Sequence, residues 1–92
     1  MGHASNKHLP DGHLREGRSA QALEAYEELI SEGDVRAGTW KNYGIALERE
    51  GRVDDALEAW REAIAIDPQV FTPEEREGVQ SEIDRRLGRG GR

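Results

Sequence analysis

The chain carries REGRSAQALEAY at residues 15–26 and, 34 positions later, REGRVDDALEAW at residues 49–60. The opening Arg-Glu-Gly-Arg and the internal Ala-Leu-Glu-Ala are identical in the two copies, and Tyr26 is matched by another large aromatic residue, Trp60. Self-similarity at a period of roughly 20 to 50 residues is typical of stacked repeat units, each of them one supersecondary element. The sequence therefore predicts a chain built from copies of one such unit.

The second copy has helical spacing on both sides of Gly51. Before the glycine, positions i, i+3, i+4 and i+7 form one apolar helix face from Trp40, Tyr43, Gly44 and Leu47. After it, a second apolar stripe consists of Ala56, Leu57, Trp60, Ala63 and Ile64. The second helix should stop at Asp67, because the residue before a proline is disfavoured in the helical region. These patterns predict two helices separated by a break at Gly51.

Small, aromatic and capping residues predict how these helices pack and begin. Gly44 and Ala56 would let the two helices approach closely, and the two tryptophans would fill the space between neighbouring pairs. Asp54 can cap the second helix of this copy, and Ser19 can cap the corresponding helix of the first copy.

In order and spacing, the second copy resembles the tetratricopeptide-repeat signature. The residues that carry the resemblance are Trp40, Tyr43, Gly44, Leu47, Gly51, Ala56, Trp60, Ala63 and Pro68. The resemblance implies an all-α fold in which antiparallel helix-turn-helix repeats stack as a short right-handed α-solenoid. It implies a single domain over residues 1–92, with repeat one at 3–36 and repeat two at 37–70.

Repeat one matches the signature in its second helix, through Ala22 and Tyr26, and departs from it in the first helix. Pro10 stands where the family usually has a small residue, and Gly12 follows two residues later. An interior proline costs about 3 kcal/mol or more, and a glycine roughly 1 kcal/mol. We therefore expect a short first helix that begins near Pro10 or is broken there. Disorder of residues 1–9 is the alternative.

The pattern of residues 72–88 predicts a capping helix. Its start, Thr72-Pro73-Glu74-Glu75, is a capping box with proline at the first helical position. A narrow apolar stripe on this otherwise charged helix consists of Val79, Ile83 and Leu87. Repeat arrays need such a terminal helix to cover their last apolar surface. Gly88 can end the helix, and residues 89–92 are expected to form a flexible tail.

Composition limits the classes of function. The chain has 92 residues, 35% of them hydrophobic, and no apolar run long enough to span a membrane. Its net charge of −6 argues against sequence-independent phosphate binding, so we expect neither a nucleic-acid nor a membrane partner. The basic stretch at residues 85–92 leaves contact with RNA or another anion as an alternative. Without cysteine there is no disulfide or thiolate site, which fits a cytoplasmic location.

The sequence offers no convergent catalytic or metal-binding set. His3, His8 and His13 are five residues apart and do not share a helix face, unlike ligands four residues apart. The serines have no Gly-x-Ser-x-Gly frame, and the acidic pairs at 54–55 and 74–75 complement helix dipoles. We therefore expect no enzyme activity, no cofactor and no metal.

The resemblance also implies where a ligand would lie. In this family an extended peptide, often a partner's terminus, lies in a groove lined by the first helix of each pair. In this chain the groove residues would be Lys41, Asn42, Ile45, Glu48 and Arg49. The periodicity agrees independently, since these residues avoid the apolar face of their helix and are mostly polar. A merely solvated helix face would have the same pattern and is the alternative.

A sharper possibility comes from family members that grip a peptide's C-terminal carboxylate with five polar residues. By spacing, the five positions fall at Lys7, Asp11, Asn42, Thr72 and Arg76. Lys7, Asn42 and Arg76 carry suitable residue types and could donate charge-assisted hydrogen bonds to a carboxylate. Asp11 would repel a carboxylate and Thr72 replaces a cation, so the pattern is incomplete.

Two functions therefore remain. The first is a protein-binding module that takes a peptide or partner segment in the groove. The alternative is an assembly element that docks through its open helical ends, because two repeats fall short of the three or so that stabilise an array. Exposed Val70, Phe71 or residues under a frayed first helix would supply that second contact. We expect a monomer or a weak homo-oligomer.

Overall fold

Five α-helices joined by short turns make up most of the computed structural model, which describes residues 10–34 and 36–88. They are α1 (Pro10–Arg15), α2 (Ser19–Ser31), α3 (Ala37–Arg49), α4 (Val53–Ile66) and α5 (Pro73–Ile83). A 3-10 turn (Pro68–Val70) precedes α5, and a π-helical turn (Asp84–Gly88) follows it. Each helix packs on the next one in the chain, which confirms the predicted all-α solenoid of stacked repeats.

The described residues contain no helix that is both long enough and apolar enough to cross a membrane. The first helix, α1, has only six residues and begins at Pro10, as its proline and glycine predict. The expectations for residues 1–9, which include His3, Lys7 and His8, and for the tail at 89–92 fall outside the part of the chain that is described.

The identical Arg-Glu-Gly-Arg segments form the same turn in both copies. Gly51 has a φ of +82°, in the left-handed region that favours glycine, and Gly17 has a φ of +81°. The N–H of Arg52 donates back to the carbonyl of Leu47 at 2.8 Å, and the N–H of Arg18 makes the equivalent bond, also at 2.8 Å. This Schellman arrangement satisfies carbonyls at the end of the first helix of each pair.

The two predicted N-caps of the second helices are wrong. The flanking residues are Arg18 for α2 and Arg52 for α4, and neither makes a side-chain capping bond. The Schellman turn runs straight into the next helix, so Ser19 is already its first residue, and its hydroxyl donates to the Glu50 carboxylate. Asp54 lies inside the first turn of α4, where a negative charge complements the helix dipole.

The predicted capping box of α5 is confirmed. The N–H of Glu75 donates to the Thr72 hydroxyl at 3.1 Å, and the N–H of Thr72 donates to the Glu75 carboxylate at 2.9 Å. Pro73 occupies the first turn. Of the apolar stripe, Ile83 is buried, and the residues four positions before and after it are half-buried. Gly88 ends the π-helical turn with a φ of +81°.

Two clusters of buried residues form the core. The first joins α1, α2 and α3 through Leu14, Ala22, Tyr26 and Ala46. The second joins α3 and α4 through Leu47, Ala56 and Ala59. The helix end after Ile66 also agrees with the prediction made from Pro68.

Trp60 packs both within its own helix pair and against the turn before α5. Its indole lies directly on Gly44. The indole N–H donates to the Lys41 carbonyl at 2.9 Å, and the ring meets Phe71 edge-on at a centroid distance of 6.4 Å. Gly44 therefore allows the close approach of the two helices that the sequence predicts, and the group that approaches it is the Trp60 indole of α4. Phe71 is buried, so the expectation that it is exposed for an assembly contact is wrong.

Asp34 anchors the start of α3. Its side chain is only 8% exposed. Its carboxylate accepts hydrogen bonds from the Arg36 backbone N–H at 2.9 Å, the Arg36 guanidinium at 2.7 Å and the Thr39 hydroxyl at 3.1 Å. The Arg36 side chain, followed by the Arg36 N–H, lowers the pKa of Asp34 from 3.8 to about 2. The loop before α3 thus depends on an ionised carboxylate.

This carboxylate predicts a specific pH dependence. Because the folded-state pKa is below the ordinary value of 3.8, ionised Asp34 stabilises the fold above that pH. The contribution is lost as the pH falls through about 2. We expect Asp34→Asn to be less stable than the unsubstituted chain at neutral pH, with the difference shrinking below about pH 4. Urea unfolding followed by circular dichroism at a series of pH values measures this.

Glu32→Gln is the matched control for the pH series. Glu32 is exposed, and its carboxylate has no partner among the described residues. The free energy of unfolding of the Glu32→Gln variant should therefore depend on pH as that of the unsubstituted chain does. A stability difference for Asp34→Asn that stays constant down to about pH 2 would contradict the role of the ionised carboxylate.

Candidate functional site

The predicted groove residues lie on one side of α3, away from its buried face. Glu48 and Arg49 are exposed, whereas Lys41, Asn42 and Ile45 are half-buried. The opposite side of the helix contains the buried residues Gly44, Ala46 and Leu47. Ile45 packs partly against the first core cluster, so it offers a ligand less surface than the polar members do.

Lys41 lies where α3 meets the turn before α5. Its ammonium group donates to the Val70 carbonyl at 3.1 Å and lies 5.0 Å from the centroid of the Phe71 ring. A lysine ammonium has three donors, so one backbone contact leaves others for a ligand. The side chain therefore braces this turn and also places a positive charge beside the groove face.

Arg49 occupies the other end of the same helix side. Its guanidinium donates to the Leu14 carbonyl at 2.7 Å. Leu14 belongs to the last turn of α1, where carbonyls have no partner within the helix. Arg49 thus links the first helices of the two repeats. A guanidinium has five N–H donors, so this contact also leaves donors for another acceptor.

Arg76, on α5, holds the same turn as Lys41. Its guanidinium donates to the Pro68 carbonyl at 2.6 Å and to the Phe71 carbonyl at 3.4 Å. The two side chains therefore converge on the residues between α4 and α5. As a result, positive charges lie at both gaps between the first helices, in a chain whose net charge is −6.

The structure describes the side chains of only part of the predicted carboxylate-binding set. Asn42 lies on α3 and Arg76 on α5. Lys7 falls outside the described residues, and Asp11 is described by its backbone on α1 alone. The Thr72 hydroxyl is already used in the capping box. Convergence of Lys7, Asn42 and Arg76 on one ligand therefore stays a prediction.

The sequence predicted these cations as ligand contacts but missed their backbone carbonyl partners. The partners lie 5 to 35 positions away in the chain, so spacing alone does not reveal them. A cleft between α2 and α4 is also missing from the sequence prediction. The sequence feature that could have indicated this cleft is a row of acidic residues on one face of α4, at Asp55, Glu58 and Glu62.

The stacked helix pairs and the spacing of the repeats agree with the comparison with known families. The model of the family described as tetratricopeptide repeat matches residues 11–70. Searches of curated proteins and of solved structures give no match. The matched range covers more than half of the chain and includes all of α2, α3 and α4. The chain therefore belongs to the tetratricopeptide-repeat family.

Proposed function

We propose that the chain is a cytoplasmic adaptor that binds an extended segment of another protein along its first helices, α1, α3 and α5. Tetratricopeptide repeats generally mediate contacts between proteins and are typically not catalytic. The observation that carries the proposal is the one-sided character of α3. Gly44 and Leu47 are buried in the fold, whereas the side that carries Lys41 and Arg49 is mostly polar, and its residues are exposed or half-buried.

The charges on this side favour an acidic segment. Lys41, Arg49 and Arg76 each use one or two donors on backbone carbonyls, which fixes their positions and leaves further donors. Cations held in place lose less conformational entropy on binding than free side chains do. Among the predicted groove residues, all of which lie on α3, the cations Lys41 and Arg49 outnumber the acid Glu48. A partner segment with carboxylates therefore fits this surface best.

A terminal carboxylate is the finer part of the proposal. Asn42 follows Lys41 on α3, and the NH₂ group of its side-chain amide can donate hydrogen bonds to a carboxylate. Arg76 would approach from α5, and Lys7 from the first repeat. Charge-assisted hydrogen bonds of this kind are roughly twice as strong as neutral ones. A partner that ends in an acidic peptide would thus be preferred to one with an internal acidic segment.

Titration with paired peptide pools tests the proposal. The probes are acidic hexapeptides with a free C-terminal carboxylate and the same peptides with an amidated C-terminus. The free form is expected to shift the backbone amide signals of α3 around Asn42 more strongly than the amidated form. Asn42→Ala should weaken binding of the free form roughly tenfold, since hydrogen bonds to charged groups contribute about 1.5–3 kcal/mol.

Gln21→Ala is the matched control for this titration. Gln21 is an exposed amide on α2, the second helix of repeat one. The Gln21→Ala variant should bind the peptide with a free C-terminus as tightly as the unsubstituted chain does. Equal shifts for free and amidated peptides would remove the terminal carboxylate from the proposal. Shifts confined to α2 and α4 would contradict the groove itself.

Self-association through the open helical ends receives less support. Phe71, one of the residues expected to make that contact, is 7% exposed and lies against Trp60. Val70 is half-buried, and its carbonyl already accepts from Lys41. Sedimentation over a range of protein concentrations separates the two functions, and we expect no stable oligomer.

A further inference from the structure

A cleft of about 480 Å³ opens between the second helices of the two repeats, α2 and α4. It lies on a different side of α3 from the groove residues, because Trp40, Tyr43 and Leu47 contribute to it. The apolar part of its lining consists of Ile30, Trp40, Tyr43, Leu47 and Ala59. The cleft is thus a partly apolar recess that the proposed groove does not use.

The rim of the cleft is strongly acidic. Its carboxylates are Glu27, Asp55, Glu58 and Glu62, and the one cation among the described lining residues is Arg52. Arg52 is held by Asp55 at 3.1 Å, so it does not neutralise the others. Glu27 accepts a hydrogen bond from the Tyr43 hydroxyl at 3.3 Å. Burial, and then Glu27, raises the pKa of Tyr43, which keeps this hydroxyl a donor.

Two of these carboxylates are available to a ligand. Within residues 10–34 and 36–88, neither Glu58 nor Glu62 has a hydrogen-bonded or ionic partner, and both are exposed. They follow Asp55 on the same face of α4, at i+3 and i+7. A free pair of carboxylates therefore borders the apolar part of the cleft.

Trp40 provides an aromatic surface in the same cleft as these carboxylates. It is half-buried, and its ring meets Tyr43 edge-on at a centroid distance of 5.9 Å. Its indole N–H has no partner among the described residues, in contrast to that of Trp60. Tryptophan is the best aromatic partner for a cation. The cleft thus combines an indole with unpaired carboxylates.

We propose that this cleft binds an arginine side chain from a basic segment of a partner protein. A guanidinium is planar, stacks on aromatic rings and donates to carboxylates in pairs, and it is more weakly hydrated than an ammonium group. The cleft offers complementary charge in Glu58 and Glu62 and a stacking partner in Trp40. Binding here is independent of the groove, so the domain has two interfaces of opposite charge preference.

Peptide titration followed by NMR tests this site. The probe is a blocked hexapeptide with two arginines, and its neutral counterpart carries citrulline at both positions. The arginine peptide is expected to move the indole N–H signal of Trp40 in a saturable manner. The signal of Trp60 should stay in place, because its N–H is bonded to the Lys41 carbonyl. The citrulline peptide should move neither signal.

A pair of double variants separates local contacts from general charge. The double variant with Glu58→Gln and Glu62→Gln is expected to bind the arginine peptide roughly fivefold more weakly, because it loses two exposed ion pairs with the peptide. The control is Glu24→Gln with Glu28→Gln, at the positions 34 residues earlier in the repeat. These two residues are exposed on α2 and do not line the cleft. Both variants change the net charge equally.

Three outcomes would overturn this assignment. The first is an equal loss of affinity in the two double variants, which would indicate general charge attraction. The second is an equal response to the arginine and citrulline peptides. The third is a Trp40 signal that does not move with added arginine peptide. None of these results bears on the groove, which is tested by acidic peptides and by Asn42.

Discussion

Leu57→Ala is expected to lower the free energy of unfolding by about 3 kcal/mol. Leu57 is 1% exposed, and it belongs to α4, which packs on both α3 and α5. Truncation removes buried methyl groups and leaves a cavity that these helices only partly close. The loss is a large fraction of the roughly 5–15 kcal/mol that stabilises a typical domain. Urea unfolding followed by circular dichroism measures it.

Leu23→Ala is the matched comparison in the other repeat. Leu23 lies 34 positions earlier, within the same Ala-Leu-Glu-Ala sequence, but it is half-buried. Its substitution should cost about half as much as that of Leu57, since less apolar surface leaves the core. The urea dependence of both variants should keep the slope of the unsubstituted chain. An equal loss in the two variants would contradict the burial difference.

This difference shows a limit of the sequence pattern. The two Ala-Leu-Glu-Ala segments are identical, yet Ala59 is buried and Ala25 is half-buried. Burial depends on the helix packed alongside, and α1 has six residues where α3 has 13. Pro10 and Gly12 indicate the short helix, but the sequence does not give the surface that it leaves uncovered.

Local signals are what the sequence predicted well. The break between two helices at Gly51 and the capping box at Thr72 each depend on residues within a few positions, so the pattern contains the whole interaction. The cap assigned to Ser19 was wrong because a second local motif, the Schellman turn, already occupies that position. Competing local motifs are thus one source of error.

Long-range contacts of polar side chains are the other source of error. Lys41 and Arg49 were predicted as groove residues from family spacing, and both lie on α3 away from its buried residues. Their carbonyl partners belong to a turn and to a helix end that the sequence cannot place in space. For the same reason the row of acids on α4 could not be connected with Trp40, which lies on a different helix.

Gly44→Ala is expected to lower the free energy of unfolding by about 2 kcal/mol. A Cβ atom at this position would meet the Trp60 indole, lying 2.5 Å from Cδ1 and 2.8 Å from Cε2. The indole cannot stay in place, so its hydrogen bond to the Lys41 carbonyl and its contact with Phe71 are disturbed. Overpacking costs about 1–3 kcal/mol and the hydrogen bond about 1 kcal/mol, while the gain in helix propensity offsets about 1 kcal/mol.

Gly78→Ala provides the same chemical change without the steric conflict. Gly78 lies within α5, and a Cβ atom there would meet nothing within 4 Å. This variant should gain up to about 1 kcal/mol from helix propensity, so the two glycine substitutions are expected to have opposite signs. In Gly44→Ala the Trp60 indole N–H should also exchange faster with solvent, because the displaced indole no longer reaches the Lys41 carbonyl. A stable Gly44→Ala variant with an unchanged Trp60 signal would show that the helix pair can separate to admit the methyl group. The close contact between α3 and the Trp60 indole would then be a preference of packing and not a requirement of the repeat.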